Sequence, residues 1–264
     1  MPVGGRPAAG LGPIVAAALT VAVGLMAAPA ARADPAALWK LVHGACVPDQ
    51  QQHDNPAPCA LVELHRGVAA GYVVLKDIRG TTQYLVIPTA RVTGIEDPKL
   101  LRPGMPNYFA AAWQQRAFSE RAVPHKLPRD AWSLAVNSPF ARSQNQLHIH
   151  IDCLRRDVRA ALRRQQHAIG DTWAPLAATL AGHRYWAMRV LGDELGGADP
   201  FHLLAAGKPG ARAAMGQQTL VVAGAEFAGG RPGFILLNDQ ANLAIGDRAS
   251  GEELQDHTCA LARE

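Results

Sequence analysis

The chain has 264 residues and a formal net charge of +4, from 26 Lys and Arg against 22 Asp and Glu. A charge this close to neutral does not favour a nucleic-acid partner, since that binding relies on a strongly positive surface. The length allows one large domain or two small ones, and nothing in the pattern implies a protein partner.

The first 33 residues are typical of an export signal. Arg6 gives a short positive start, an apolar run extends from about Gly10 to Ala28, and Ala31-Arg32-Ala33 fits a cleavage site. The run is also close to the roughly 20 apolar residues that span a bilayer. Residues 1–33 are therefore predicted to be a signal peptide or an uncleaved signal anchor, and both alternatives place residues 34–264 outside the cytoplasm.

All four cysteines lie in the part of the chain expected to be exported. An even number outside the cytoplasm predicts two disulfides. The absence of a C-x-x-C pair counts against a zinc or thioredoxin-type motif. We expect Cys46 to pair with Cys59 and Cys153 with Cys259, although four cysteines allow three connectivities.

The first part of the exported chain predicts a short helix, a loop and a β-hairpin. Residues 36–43 have the spacing of an amphipathic helix, whereas the polar residues 48–58 predict a loop. Residues 71–75 and 83–87 predict two strands joined by a turn at 79–81.

Helices and strands then follow in turn. Residues 107–122 predict a helix with Asn107 as its N-cap. Strands are predicted at 132–136 and 146–153, and an Arg-rich helix at 157–169.

The last third of the chain has weaker patterns. Ser250 with Glu253 predicts a capping box that starts a final helix, and the glycine cluster 223–233 predicts a loop. Three more segments predict strands: 185–191, 220–223 and 234–238. Hairpins combined with a few helices indicate an α+β fold with a mainly antiparallel sheet.

Two histidines alternate on the predicted strand 146–151. Gln146, His148 and His150 share one face because side chains alternate with period two, which puts the two imidazoles roughly 6.5–7 Å apart. The apolar residues between them are expected to face the core. A polar row of this kind suggests a functional site.

Three interpretations of this row are open: solvent-exposed polar residues, a metal site, or a nucleophilic histidine acting on phosphorus. A metal would need further ligands, and no nearby cluster in the sequence offers them. The loop 137–146 provides neutral donors such as Asn137 and one guanidinium, Arg142, for a diphosphate. The loop therefore favours the nucleophile, with no metal or cofactor expected.

These motifs resemble the histidine-triad (HIT) superfamily of nucleotidyl hydrolases and transferases. Leu85-Val86-Ile87-Pro88, Asn137, Ser143, His148 and His150 fill positions of the superfamily motif. The resemblance implies that His148 is the nucleophile, that His150 binds the attacked phosphate, and that Ser143 hydrogen-bonds the same phosphate.

One branch of the superfamily is more similar. The segments at 44–52, 71–77 and 137–154 look like the bacterial CDP-diacylglycerol pyrophosphatases, which share the glutamine found at Gln146 in place of the first triad histidine. The amide of Gln146 can still donate to a phosphate oxygen. Residues 34–264 are accordingly expected to form one HIT-like domain, with a core at about 71–154 and a C-terminal extension at about 155–264.

The resemblance also implies a function. It implies hydrolysis of CDP-diacylglycerol to CMP and phosphatidate through a covalent His148 intermediate. The reaction would take place at the lipid surface on the periplasmic face of the inner membrane, or in the periplasm if the leader is cleaved. A broader exported nucleotide pyrophosphatase and a non-catalytic CDP-lipid-binding module remain alternatives.

Overall fold

The computed structural model describes residues 1–5 and 34–263. The predicted leader, apart from its first five residues, lies outside the described residues. The chain divides into two compact units, Met1–Arg32 and Ala33–Glu264, and every described helix and strand belongs to the second unit. No helix within these described ranges is long and apolar enough to cross a membrane.

Over residues 34–263, nine antiparallel strands form one sheet, in the order β1-β2-β3-β5-β4-β8-β9-β7-β6. The strands are β1 (Leu61–Glu63), β2 (Tyr72–Lys76), β3 (Tyr84–Pro88), β4 (Trp132–Val136), β5 (Ile149–Cys153), β6 (Ala174–Leu180), β7 (His183–Leu191), β8 (Leu220–Phe227) and β9 (Arg231–Asn238). The predicted α+β fold with an antiparallel sheet is confirmed. Because β4 pairs with β8, the strands after residue 154 continue the same sheet.

The helices are α1 (Ala37–Leu41), α2 (Val47–His53), α3 (Tyr108–Gln115), α4 (Ala117–Glu120), α5 (Arg156–Gln165) and α6 (Pro200–Gly207). Asn107 caps α3 as predicted, accepting a hydrogen bond from the amide of Ala110 at 3.0 Å. A cap of this kind contributes about 1 kcal/mol.

The loop predicted at 48–58 is wrong for its first half, where α2 forms. One π-helical turn, Val42–Cys46, joins α1 to α2, and Pro48 lies in the first turn of α2. Proline is tolerated there because its missing N–H would have no helical partner. The polar composition led to the wrong prediction. A helix that buries only one narrow face, as α2 does, can be polar at most of its positions.

Two further predictions near the C-terminus are wrong. The glycine cluster 223–233 is mostly strand, since β8 and β9 form a hairpin through it. The final helix is a single 3-10 turn, Gly251–Leu254, and the Ser250 side chain does not cap it. Both acids of this turn are used in tertiary contacts instead, as the site geometry shows.

The sheet carries a different layer on each face. On one face, α3 and α6 bury an apolar cluster that contains Phe109, Trp113 and Phe201. On the other face, α1 and α2 cover β1–β3, and α5 covers the opposite end with Val158 and Leu162.

The middle of this second face holds His150. Its cross-strand partners are Leu85 on β3 and Ala135 on β4. Leu85 belongs to the cluster under α1 and α2, whereas Ala135 belongs to the cluster under α5. The topology therefore puts His150 in the gap between two helical layers.

Both predicted disulfides are present. Cys46–Cys59 joins the π-helical turn before α2 to the segment before β1, and Cys153–Cys259 joins the end of β5 to the C-terminal segment. The first bridge spans 13 residues and the second spans 106.

Candidate active site

A pocket of about 660 Å³ opens between α1, the β2–β3 hairpin and the loop after β4. Its lining combines the two histidines with Glu252 from the C-terminal 3-10 turn. The complete lining is Ala37, Leu38, Leu41, Leu75, Lys76, Asp77, Ile78, Arg79, Leu85, Asn137, Ala141, Arg142, Ser143, Gln144, His148, His150 and Glu252.

His148 and His150 lie closer together than predicted. Strand β5 begins only at Ile149, so His148 is outside the ladder, and the two ring centroids are 4.9 Å apart in an edge-to-face arrangement. The side chains are also buried, with exposed fractions of 9% and 4%. The interpretation as solvent-exposed polar residues is therefore wrong.

The imidazole of His148 is held in one tautomer. Its Nδ1 lies 2.7 Å from the backbone carbonyl oxygen of Gln146. A carbonyl oxygen only accepts, so Nδ1 carries the hydrogen and the neutral ring keeps its lone pair on Nε2. Burial lowers the pKa of His148, which favours this neutral form.

His150 is held by a second network. The amide nitrogen of Gln83 lies 2.8 Å from Nδ1 of His150 and 3.0 Å from Oε1 of Glu252, so it can donate one hydrogen to each. Burial lowers the pKa of His150 to about 3. With Gln83 donating to Nδ1, the neutral ring carries its hydrogen on Nε2, which is buried and has no hydrogen-bond partner in the described part of the chain.

Glu252 ties the C-terminal 3-10 turn to this network. Its Oε2 accepts from the amide of Asn137 at 2.5 Å, and its backbone N–H donates to the Asn137 oxygen at 3.3 Å. Burial opposes the carboxylate form, but His150 and the hydrogen bonds from Gln83 and Asn137 lower the pKa of Glu252. A fixed anion therefore lies beside His150.

Asp152 and His257 form a neighbouring pair. Oδ2 of Asp152 accepts from Nδ1 of His257 at 2.7 Å, and Oδ1 accepts from the Thr82 hydroxyl at 2.6 Å. The hydrogen bond to Asp152 raises the pKa of His257. Nε2 of His257 is 3.9 Å from Oε1 of Glu252, so this pair supports the acid from the side away from the pocket.

Gln146 has a structural role in this arrangement. Its amide nitrogen donates to the carbonyl oxygens of Pro88 and Ala90 at 2.9 and 2.8 Å, and the side chain does not line the pocket. The glutamine therefore fixes the chain at His148 to the end of β3.

Arg142 and Ser143 both line the pocket, but the Arg142 side chain is held by an ion pair whereas Ser143 is exposed. Arg142 makes a two-pronged ion pair with Glu96, at 2.7 and 2.5 Å, and its side chain is only 5% exposed. Its buried Nε has no hydrogen-bond partner. Ser143 is exposed at the rim. The phosphate-binding roles of Asn137, Arg142 and Ser143 stay predictions. The role predicted for Gln146 is wrong in this structure, because its amide donates to two backbone carbonyls and the side chain does not line the pocket.

The pocket has an apolar wall opposite its polar floor. Leu38 and Leu41 of α1 face Leu75 and Ile78 of the hairpin across the opening. The polar loop fixes α1 in place, because the Gln144 side chain accepts from the backbone of Leu38 at 3.0 Å. The hairpin also brings Arg79 to the pocket, whereas the ammonium of Lys76 donates to the backbone carbonyls of Asp77 and Gly80.

Buried neutral imidazoles, an adjacent carboxylate and cationic side chains around one opening define an active site for chemistry on anionic groups. The chain belongs to the CDP-diacylglycerol pyrophosphatase family, whose model matches residues 33–263. It is 44% identical over 225 residues to a Yersinia pestis protein named CDP-diacylglycerol pyrophosphatase, covering 85% of this chain and 84% of the relative. The inferred resemblance to this family, and with it the expectation of an enzyme, is confirmed.

Gln83, Glu252 and His257 were not predicted as site residues from the sequence. Glu252 is 102 residues from His150 along the chain but 3.2 Å from its ring nitrogen. The only available signal was the short spacing from Glu252 to Cys259, which the expected disulfide brings to β5.

Proposed function

We propose that this enzyme hydrolyses the diphosphate of CDP-diacylglycerol through a covalent intermediate on His148. The observation that carries the proposal is the tautomer of His148, which leaves an unprotonated Nε2 in the pocket. A neutral imidazole with one ring nitrogen fixed as donor is the form that attacks phosphorus.

The reaction has two displacement steps. Nε2 of His148 attacks the cytidylyl phosphorus, a P–N bond forms, and the bond from that phosphorus to the bridging oxygen breaks, so that phosphatidate leaves with the bridging oxygen. Water then attacks the same phosphorus, the P–N bond breaks, and CMP and a proton are released.

His150 stabilises the charge that develops on the attacked phosphate. The Nε2 hydrogen assigned to it has no acceptor in the protein, so a phosphoryl oxygen can take that place. A preorganised donor of this kind is worth more in a dry site than in water. Arg79 adds positive charge at the pocket for the diphosphate.

The apolar wall supports a lipid substrate over a soluble dinucleotide. Leu38, Leu41, Leu75 and Ile78 line the opening, and Ile78 is fully exposed. A glycerolipid would cover these side chains, whereas a water-soluble nucleotide would leave them in water. Since α1 begins shortly after the predicted leader, we propose that the enzyme acts at the periplasmic face of the inner membrane.

The test is capture of the intermediate. Full-length protein is exposed briefly to CDP-diacylglycerol in mixed micelles, quenched without acid, and mapped by mass spectrometry. We expect a cytidylyl group on the peptide that contains His148. His148→Ala should form no adduct and lose on the order of 10⁴-fold or more in turnover, while the exposed control His167→Ala should behave as wild type. Full turnover by His148→Ala would end the nucleophile assignment.

Two further measurements separate the alternatives. In ¹⁸O-labelled water the label should enter CMP; label in phosphatidate would mean attack on the other phosphorus. Comparison with CDP-choline should show a much higher kcat/KM for the lipid. A preference for soluble dinucleotides would favour a broader pyrophosphatase, and binding without turnover would favour a lipid-binding module.

A further inference from the structure

A second cluster of titratable side chains lies outside the pocket. His183 is the first residue of β7, Asp239 follows the end of β9, and Asp247 closes the loop after it. One potential ligand atom from each residue lies within 4.8 Å of the other two. None of the three lines the pocket of His148.

Asp239 contributes a carboxylate oxygen that has no hydrogen-bond partner and could bind a cation. The residue is 5% exposed, its Oδ1 accepts from the backbone of Gln240 at 2.7 Å, and its Oδ2 is buried with no hydrogen-bond partner. A buried carboxylate oxygen without a partner is costly, because nothing replaces its lost hydration.

Asp247 is also buried, so two buried carboxylates share this cluster. Buried carboxylates close to each other repel, and a bound cation removes that repulsion.

We propose that His183, Asp239 and Asp247 bind one divalent transition-metal cation, of which Zn²⁺ is the type. One imidazole nitrogen and two carboxylate oxygens form a ligand set that Zn²⁺ accepts, whereas Mg²⁺ and Ca²⁺ prefer oxygen ligands alone. Ligands about 2.1 Å from a tetrahedral Zn²⁺ stand about 3.4 Å apart. The 3.9 Å between Nδ1 of His183 and Oδ1 of Asp247 is close to that spacing.

Glu253 is a third carboxylate beside His183. Its Oε1 is 2.8 Å from Nδ1 of His183 and accepts from the Tyr185 hydroxyl at 2.6 Å. A cation bound to Nδ1 would take the place of the hydrogen shared with Glu253, and this carboxylate would remain close to the positive charge.

The cation site is separate from the proposed chemistry. Glu253 is the neighbour of Glu252 in the 3-10 turn Gly251–Leu254, so the cation would stabilise the segment that carries Glu252. The steps proposed at His148 use no group of the cation site. Removal of the cation should therefore lower the melting temperature while leaving hydrolysis intact well below it.

The test uses untagged full-length protein freed of metal with EDTA. Calorimetric titration with Zn²⁺ should show one tight site per chain. At a free Zn²⁺ concentration of about 100 times Kd, the melting temperature should rise by about 5–10 °C. His183→Gln and Asp239→Asn should lose both effects, and the exposed control Asp171→Asn should keep them.

Melting temperatures of the metal-free proteins show whether a variant that binds no Zn²⁺ is still folded. Asp239→Asn removes the repulsion, so its melting temperature in EDTA should equal or exceed that of wild type, which shows that it folds. If the wild-type protein binds no more Zn²⁺ than Asp239→Asn does, the proposal is wrong. Tight Ca²⁺ binding that is unchanged in His183→Gln would overturn the nitrogen ligand.

Discussion

Burial sets the charge of both histidines in the pocket. A folded-state pKa below the usual 6.5 means that the ring is neutral at pH 7. For His148 this state is also the reactive one, since protonation of Nε2 removes the lone pair that attacks phosphorus.

The first prediction concerns the pH profile. As pH falls through the lowered pKa of His148, the fraction of reactive imidazole falls, so kcat/KM should decrease on an acidic limb whose midpoint lies below 6.5. The measurement is kcat/KM from pH 4 to 8 on micellar substrate. A midpoint above 6.5 would contradict the assignment of a buried neutral nucleophile.

The second prediction separates the roles of the two histidines. His150→Ala removes one donor to the attacked phosphate, which costs roughly 2.7–4 kcal/mol in comparable sites, or about 10²–10³ in kcat. The covalent adduct should still form, slowly, because His148 is intact. Rapid-quench measurement of adduct formation tests this, with His167→Ala as the control. An undiminished rate in His150→Ala would refute its role.

The β2–β3 hairpin presents an exposed apolar side chain at the opening of the pocket. Its tip presents Ile78, whose side chain is fully exposed and lines the opening. An exposed apolar side chain contributes little to stability, so its value would be in contact with substrate or with the bilayer.

The third prediction is made for this hairpin. Ile78→Ser should lower kcat/KM on bilayer CDP-diacylglycerol several-fold, should leave the melting temperature unchanged, and should have little effect with CDP-choline. Ile245→Ser is a matched control, because Ile245 is 75% exposed and does not line the pocket. Equal losses in both variants, or on both substrates, would count against a lipid-facing hairpin.

Strands rich in branched residues could be predicted from the sequence, and weakly patterned elements could not. Residues 132–136 were predicted to the residue as β4, because Trp132 and Val136 have high strand propensity. Strand β6, with the sequence APLAATL, was not predicted, because Ala and Pro have low strand propensity. This strand is stabilised by its pairing with β7. The acids of 251–254 suggested a helix but serve long-range contacts.

At the scale of the whole molecule, the site joins two distant parts of the chain. Asn137, His148 and His150 could be predicted because they are close in sequence and alternate in direction. Gln83 and Glu252 could not, since only the strand order brings β3 and the C-terminal turn to β5. Local periodicity contains no information about such contacts.

The fourth prediction concerns the bridge between these parts. Cys259→Ser should destabilise the protein by about 4–5 kcal/mol in the chain-entropy model, because the closed loop is long. It should also lower kcat, since His257 and Glu252 lie in the segment that Cys259 anchors. Cys46→Ser is the comparison, with a shorter loop and an expected loss of about 3 kcal/mol. Unchanged kcat in Cys259→Ser would show that the segment holds without the bridge.

The same bridge links the oxidation of two thiols to the placement of Glu252. Before the bridge forms, the thiols at positions 153 and 259 are free, so the acid beside His150 is not yet tied to β5. We therefore expect the reduced enzyme to be weakly active, and to gain full hydrolytic power only where the thiols can oxidise.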